Sequence, residues 1–137
     1  PLLNDLVERA RMLARDKDVH LELECDDGLI VQADPDKLGQ IVLNVVDNAV
    51  RAVGARGTVT VRAAVTDGNV TVAVEDDGIG IDPADLPLIF ERFFRRSEQG
   101  LGVGLAIVKE LVDAHGGRID VRSAPGQGSV FTMHLPP

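Results

Sequence analysis

The stretch at residues 75–81, Glu-Asp-Asp-Gly-Ile-Gly-Ile, places a carboxylate and two glycines at the end of a predicted strand. That strand has apolar residues at every second position, namely Val70, Val72 and Val74. Asp76 continues the apolar side of the alternation, and a carboxylate on a core face is costly unless a hydrogen bond satisfies it. Gly78 and Gly80 allow positive φ angles and the close approach of a ligand. An amino group on a flat heterocycle such as adenine would suit this slot; an ordinary turn with an exposed aspartate is the alternative.

A second group of polar side chains lies on one face of a predicted helix, which Asp34-Pro35-Asp36 opens and Gly54 ends. The apolar stripe of this helix consists of Leu38, Ile41, Val42, Val45, Val46, Ala49 and Val53. At about 100° per residue, one arc on the other side contains Gln40, Asn44, Asp47, Asn48 and Arg51. Asn44 and Asn48 stack one above the other, and a neutral amide oxygen can bind Mg²⁺ without cancelling its charge. The metal would then be free to bind phosphate oxygens, whereas a solvated polar face is the simpler alternative.

Two features between residues 92 and 104 suit an anionic ligand. Three glycines precede a predicted helix: Gly100, Gly102 and Gly104. The free N–H groups and positive dipole at a helix N-terminus bind anions, although this spacing matches neither the P-loop nor the dinucleotide fingerprint. In a chain with a formal net charge of -8, the charge of a triphosphate would be offset by a basic cluster, Arg92, Arg95 and Arg96. A flexible turn and solvated surface arginines are the alternatives.

Composition and length limit the classes of function. At 137 residues the chain is long enough for one domain, and its acidic balance argues against nucleic acid or an anionic membrane surface as the main partner. Cys25 is the only cysteine, which excludes a disulfide framework and fits a reducing, cytoplasmic setting. No apolar run is long enough to span a membrane. The histidines are scattered and match no metal-ligand or Ser-His-Asp pattern: His20, His115 and His134.

The elements that must position these residues alternate between helices and pairs of strands. Apolar spacing predicts a helix over 3–17, the helix after Asp34, and a third helix through Ile107 and Ala114. A hairpin through Asp67-Gly68 joins two of the predicted strands, which cover 19–24, 29–33, 58–65, 70–76, 118–123 and 129–135. Strand pairs joined by hairpins disfavour a doubly wound parallel sheet. We therefore expect an α+β fold, a two-layer α/β sandwich in which about three helices cover one face of a mixed, mostly antiparallel sheet.

Four ordered motifs in this sequence resemble the N, G1, F and G2 boxes of sensor histidine kinases. They are Asn-Val-Val-Asp-Asn-Ala at 44–49, Asp-Asp-Gly-Ile-Gly-Ile at 76–81, Phe-Glu-Arg-Phe-Phe-Arg at 90–95 and Gly-Leu-Gly-Val-Gly-Leu at 100–105. The ending at 126–136 is similar to the final strand of that family, so the likeness covers nearly the whole chain. The domain resembled is the catalytic ATP-binding domain (HATPase). It has the Bergerat fold of the GHKL superfamily, shared with gyrase, Hsp90 and MutL.

The resemblance implies ATP and Mg²⁺ as cofactors and gives a role to individual positions. Asp76 would accept a hydrogen bond from the adenine amino group, and Asn48 would be the Mg²⁺ ligand. Asn44 falls where related ATPases keep a water-activating Glu, so an amide there suits phosphoryl transfer to a protein. Arg95 would be the second catalytic residue, next to the γ-phosphate, and residues 96–101 would form a mobile lid over ATP. Besides Asn44, the other implied nucleotide contacts are Arg51, Gly78, Gly80, Ile81, Gly100, Leu101, Gly102, Val103, Gly104 and Leu105.

The implied function is transfer of the γ-phosphate to a histidine on a separate dimerisation domain of the same kinase, with a response regulator as the downstream partner. No histidine here stands in the phospho-acceptor context, so residues 1–137 are expected to be a single ATP-binding domain without the acceptor domain. The expected location is the cytoplasm, as part of a bacterial sensor kinase that can itself be membrane-anchored, with no direct membrane contact by this domain. Two alternatives on the same fold stay open. One is a catalytically weak nucleotide-binding or interaction module, which Ala52 in place of the family's usual Tyr would favour; the other is an anti-sigma-type serine kinase.

Overall fold

A five-stranded sheet forms the centre of the computed structural model, which describes residues 8–9, 11–12, 15, 18–25, 35–53, 56–66, 69–91 and 104–136. The strands are β1 (His20–Cys25), β2 (Thr58–Thr66), β3 (Asn69–Asp76), β4 (Arg118–Ser123) and β5 (Ser129–Leu135). Their order across the sheet is β1-β2-β3-β5-β4. β1 runs parallel to β2, and the other neighbouring pairs are antiparallel. The predicted mixed, mostly antiparallel sheet is therefore confirmed.

Two helices, α1 (Pro35–Ala52) and α2 (Gly104–Ala114), pack on one face of this sheet and against each other. Five residues of the predicted apolar stripe are buried on α1, namely Ile41, Val42, Val45, Val46 and Ala49. Val50, which was not predicted, is buried as well. α2 buries Ala106, Val108 and Val112. Because both apolar stripes point at the same sheet face, the predicted two-layer arrangement is confirmed.

Some predicted elements lie wholly or largely outside the described residues. The helix predicted over 3–17 is described only at 8–9, 11–12 and 15, where the backbone is helical. The strand predicted at 29–33, the hairpin tip at 67–68, and the helix-capping positions Asp34 and Gly54 fall outside. Within the described part of the chain, no helix has both the length and the apolar character that crossing a membrane requires.

The core lies between the helices and the inward face of the sheet. β3 and β5 alternate buried side chains with partly exposed ones, as strands with one covered face do. Phe131 on β5 is fully buried, and the ring of Phe90 meets it edge-on, with centroids 6.5 Å apart and planes at 87°. Phe90 follows a short 3-10 helix (Leu86–Leu88) and anchors that segment to the core.

Candidate functional site

Asp76 ends β3 on the side of the sheet that faces the helices, and it is only 3% exposed. Its register neighbours are Val59 on β2 and Ser129 on β5, so it lies in the middle of the sheet rather than at an edge. Its Oδ1 accepts a hydrogen bond of 2.9 Å from the backbone N–H of Gly78. The prediction that Asp76 lies on the buried side of the strand is thus confirmed. Its burial excludes the alternative, an exposed aspartate in an ordinary turn.

Gly78 and Gly80 have to be glycine for different reasons. Gly80 has a φ of +73°, and a Cβ there would lie 1.9 Å from the carbonyl oxygen of Ala124. Gly78 is not among the residues with positive φ, so that part of the prediction is wrong. A Cβ on Gly78 would lie 2.4 Å from the Ala52 carbonyl oxygen and 3.0 Å from Asp76 Oδ1. Glycine is required there because the end of α1 approaches too closely for a side chain.

Asp77 ties the glycine loop (residues 77–81) to the start of β2. Its Oδ1 accepts a hydrogen bond of 2.9 Å from the N–H of Thr58, and its own N–H donates to the Thr58 carbonyl at 3.3 Å. Ile79 N–H donates to the carbonyl of Ala52 at 3.3 Å, which joins the loop to α1 as well. Asp77 is not among the residues predicted to form the site. A short acceptor side chain directly after a strand is the signal that could have identified it.

The turn between β4 and β5 (residues 124–128, the β4–β5 turn) packs directly against the glycine loop from the other side. Gly126 N–H donates to the Ile79 carbonyl at 2.7 Å. Gly128 comes so close to the end of β3 that a Cβ on it would lie 2.0 Å from the Asp76 carbonyl oxygen. An open cavity of about 200 Å³ lies where the ends of β3, β4 and β5 meet this turn. The glycine loop is therefore held between α1 and β2 on one side and the β4–β5 turn on the other.

The polar side chains predicted to face a ligand lie together on α1. Asn44, Asp47 and Asn48 are partly buried, whereas Gln40 and Arg51 are exposed. Arg51 Nε bonds Asp47 Oδ2 at 3.0 Å, an exposed pair one helical turn apart that contributes little to stability. Asn48 Nδ2 is buried and has no hydrogen-bond partner among the described residues. Buried polar atoms of this kind are rare in native proteins, and a ligand atom that accepts a hydrogen bond from this nitrogen is one explanation.

The carboxylate before Asp76 belongs to a different surface. Glu75 points to the face of the sheet away from the helices, where its Oε2 lies 2.7 Å from an Arg62 guanidinium nitrogen. Arg62 also bonds Glu24 on β1 at 3.0 Å. The hydrogen bond that Arg62 donates to Glu75, supported by the one it donates to Glu24, raises the pKa of Arg62 above its ordinary value. Glu75 therefore stabilises a surface ion-pair network and does not extend the Asp76 site.

The histidines have contacts outside this site. The ring of His20 lies 3.1 Å from Glu22, and that of His134 lies 3.0 Å from Asp120. The ring of His115 lies 3.0 Å from the carbonyl oxygen of Leu111. In the described ranges, no group of three or more His, Cys, Asp or Glu side chains could hold a metal ion. Among the described residues, the amide side chains of α1 are therefore the candidate ligands for a cation at this face, together with oxygen atoms of a bound molecule.

Several predicted site residues lie outside the described residues. They are Arg92, Arg95, Arg96 and the first four residues of the second glycine motif, Gly100, Leu101, Gly102 and Val103. Gly104 is the first residue of α2. The side chains of Ile81 and Leu105 pack in or against the hydrophobic core, and the N–H of Ile81 is bonded to Ser123. Their contacts with a nucleotide remain predictions.

The sequence is similar to sensor histidine kinases along nearly its whole length. Residues 33–137 match the family described as histidine kinase-, DNA gyrase B-, and HSP90-like ATPase. Sensor histidine kinase ZraS is 40% identical over 141 residues in Salmonella typhi and 38% identical over 136 residues in Escherichia coli, covering 98% of this chain in both cases. These alignments cover 30% and 29% of the relatives, so the chain spans less than a third of their length.

Solved structures have the same fold. The mycobacterial sensor histidine kinase MprB superposes with a TM-score of 0.85 at 35% identity, covering 98% of this chain and 95% of that one. Full-length ShkA in complex with AMPPNP superposes with a TM-score of 0.87 at 36% identity, covering 98% of this chain and 29% of that one. The sheet and the two helices described above therefore match the catalytic domain of proteins of this kind.

Proposed function

This chain belongs to the family of histidine kinase-, DNA gyrase B-, and HSP90-like ATPases, and we propose that it binds Mg-ATP and donates the γ-phosphate to a histidine on a separate dimerisation domain. The resemblance inferred from the four motifs is confirmed. The named relatives are sensor histidine kinases. A catalytically weak module and an anti-sigma-type serine kinase are therefore not favoured.

The buried carboxylate of Asp76 carries the proposal. It lies in the middle of the sheet, on a mostly apolar face, and beside a loop that has glycine at two positions. An ionised carboxylate can only accept hydrogen bonds, so the matching ligand group is a donor such as the adenine amino group. Burial excludes competing water and makes such a contact selective for the base.

Asn48 fits the role of a magnesium ligand. Mg²⁺ takes oxygen ligands and usually keeps few protein groups in addition to substrate phosphates. The side chain lies on the partly buried polar face of α1, with its Nδ2 buried and lacking a partner among the described residues. Because a cation would select the amide oxygen, binding would also fix the orientation of this amide. A bound Mg²⁺ would supply positive charge to the triphosphate in an acidic protein.

Phosphoryl transfer depends on positioning and charge compensation more than on covalent chemistry by the protein. Asn44 lies one turn before Asn48 on α1, and its amide cannot act as a general base toward water. Hydrolysis by this domain should therefore be slow. Arg95 is proposed to offset charge on the γ-phosphate as it leaves ATP. The proposed partners are the histidine-bearing dimerisation domain of the same kinase and a response regulator, with no nucleic acid and no direct membrane contact.

Replacement of Asp76 by Asn tests the contact with adenine. The substitution removes the charge and sets an amide against the donor, so affinity for ATP should fall by about 1–3 kcal/mol, which corresponds to roughly 5- to 150-fold. Titration of the chain with a fluorescent ATP analogue in the presence of Mg²⁺ measures this.

The matched control is Asp113→Asn, which removes the same charge from an exposed aspartate of α2 that pairs with Lys109 at 2.8 Å. This variant should bind like the parent. Unchanged affinity in Asp76→Asn would refute the assignment. An equal loss in both variants would show that the effect does not come from the buried contact of Asp76.

A further inference from the structure

We propose that Ser123, the last residue of β4, is a positioning residue for the nucleotide site. Its hydroxyl joins the β4–β5 turn to the glycine loop. Ile81 N–H donates to Ser123 Oγ at 2.7 Å, Ser123 Oγ donates to the Gly128 carbonyl at 2.9 Å, and Ser129 Oγ lies 2.8 Å from the same oxygen. This inference rests on the proposed function, because the loop in question is the one that would hold adenine.

A count of protons fixes the direction of these bonds. A serine hydroxyl has one proton and two acceptor lone pairs. The Gly128 carbonyl can only accept, so the Ser123 proton is used there. Ser123 accepts from Ile81 N–H with one lone pair, and its contact with Ser129 must then use the Ser129 proton. Every hydrogen-bonding capacity of Ser123 is occupied within the protein, so it acts on a ligand only through its neighbours.

The orientation of Ser129 follows from this arrangement. Ser129 is the register partner of Asp76 across β3 and β5, and both side chains are 3% exposed on the inward side of the sheet. With its proton directed at Ser123, Ser129 presents lone pairs and no donor to the rest of the site. Ser123 thereby sets the hydrogen-bonding polarity of the residue beside the adenine-binding carboxylate.

Direct backbone contact transmits the position of the turn to the loop. Gly80 and Gly128 each leave no room for a Cβ, which would lie 1.9 Å from the Ala124 oxygen and 2.0 Å from the Asp76 oxygen, respectively. The 2.7 Å bond from Gly126 to Ile79 closes the same contact. Since packed backbones cannot shift independently, loss of the Ser123 bonds should displace the glycine loop relative to Asp76.

The ratio of the affinities for two nucleotides can distinguish a positioning role of Ser123 from a general effect of its substitution on folding. Inosine triphosphate replaces the amino group of adenine with a carbonyl, so the parent should prefer ATP. Ser123→Ala should lower ATP affinity by about tenfold, with little change for inosine triphosphate. Ser123→Cys keeps the side-chain size with weak hydrogen bonding and should behave like Ser123→Ala. Ser123→Thr restores a hydroxyl and should restore the preference.

Competition binding of the two nucleotides to the chain provides the measurement. Thr132→Ala, which removes a hydroxyl from the opposite face of β5, is the matched control and should keep the preference. A parent that does not prefer ATP would count against the proposed function itself. A parent that prefers ATP, with Ser123→Ala or Ser123→Cys keeping the full preference, would overturn the role of Ser123. Hydrogen exchange requires no variant: the Ile81 amide should be strongly protected in the parent, and rapid exchange there would also overturn it.

Discussion

Three successive carboxylates at the end of β3 have three different tasks, because neighbouring side chains on a strand point to opposite faces. Glu75 points outward to Arg62, Asp76 points inward to the proposed adenine site, and Asp77, beyond the strand, holds the start of β2. The three side chains are all carboxylates, and their different contacts follow only from their positions along the chain. Substitutions at these positions should therefore have unrelated effects.

The alternation that identified Asp76 would also have identified two serines that sequence analysis missed. Ser123 follows Ile119 and Val121 on the inward side of β4, and Ser129 precedes Phe131 on the inward side of β5. Neither serine was predicted to be a site residue, because a serine at a strand end has no charge that would make its burial costly. The error at Gly78 has another cause, since the backbone that excludes a side chain there belongs to α1, a different element.

Metal dependence of ATP binding is the prediction for Asn48. Asn48→Ala should weaken ATP binding by about tenfold or more with Mg²⁺ present and by less than about twofold in a chelator, because only the metal-bound form uses the amide oxygen. Isothermal titration under both conditions measures this. Gln40→Ala, on the exposed part of the same helix, is the control. An equal loss with and without Mg²⁺ would show that Asn48 supports the helix and does not bind the metal.

At the scale of elements, helices and strands follow from hydrophobic period, whereas the contacts between them do not. The stripe on α1 and the alternation of β3 were predictable because each is a local pattern. The parallel pairing of β1 with β2 was not, since it joins strands that are separated by the whole of α1. The same limit applies to the β4–β5 turn, whose place against the glycine loop depends on the order β3-β5-β4 in the sheet.

The contact between the glycine loop and the β4–β5 turn gives a prediction for stability. Gly80 and Gly126 have similar positive φ angles of +73° and +75°, but a Cβ on Gly126 meets nothing within 4 Å. Gly126→Ala should cost about 1–2 kcal/mol through its left-handed backbone alone. Gly80→Ala should cost clearly more, because its Cβ would overlap the Ala124 carbonyl. Urea unfolding of both variants measures the difference, and equal destabilisation would contradict the close packing of loop and turn.

For the whole molecule, the formal net charge of -8 opposes an anionic ligand. A triphosphate can bind only where positive charge is concentrated, and the proposed sources are Mg²⁺ at Asn48, the arginines at 92–96 and the start of α2. The fold and the burial of the Asp76 carboxylate could be predicted from this chain because both depend on patterns within it. No histidine in this sequence stands in the phospho-acceptor context and the chain spans less than a third of the length of its relatives, so the proposed acceptor is on a separate domain.

Phosphotransfer to a supplied dimerisation domain tests the central claim most directly. The chain is mixed with the histidine-bearing helical hairpin of its own kinase and with ATP labelled at the γ-phosphate, and acid-labile, base-stable phosphate on the hairpin is measured. We expect a labelled hairpin, an unlabelled ATP-binding domain, slow ATP hydrolysis by that domain alone, and a loss of transfer in Arg95→Ala that exceeds its loss of ATP affinity. Rapid hydrolysis by the isolated chain, or phosphate on its own His20, His115 or His134 with none on the hairpin, would contradict the claim.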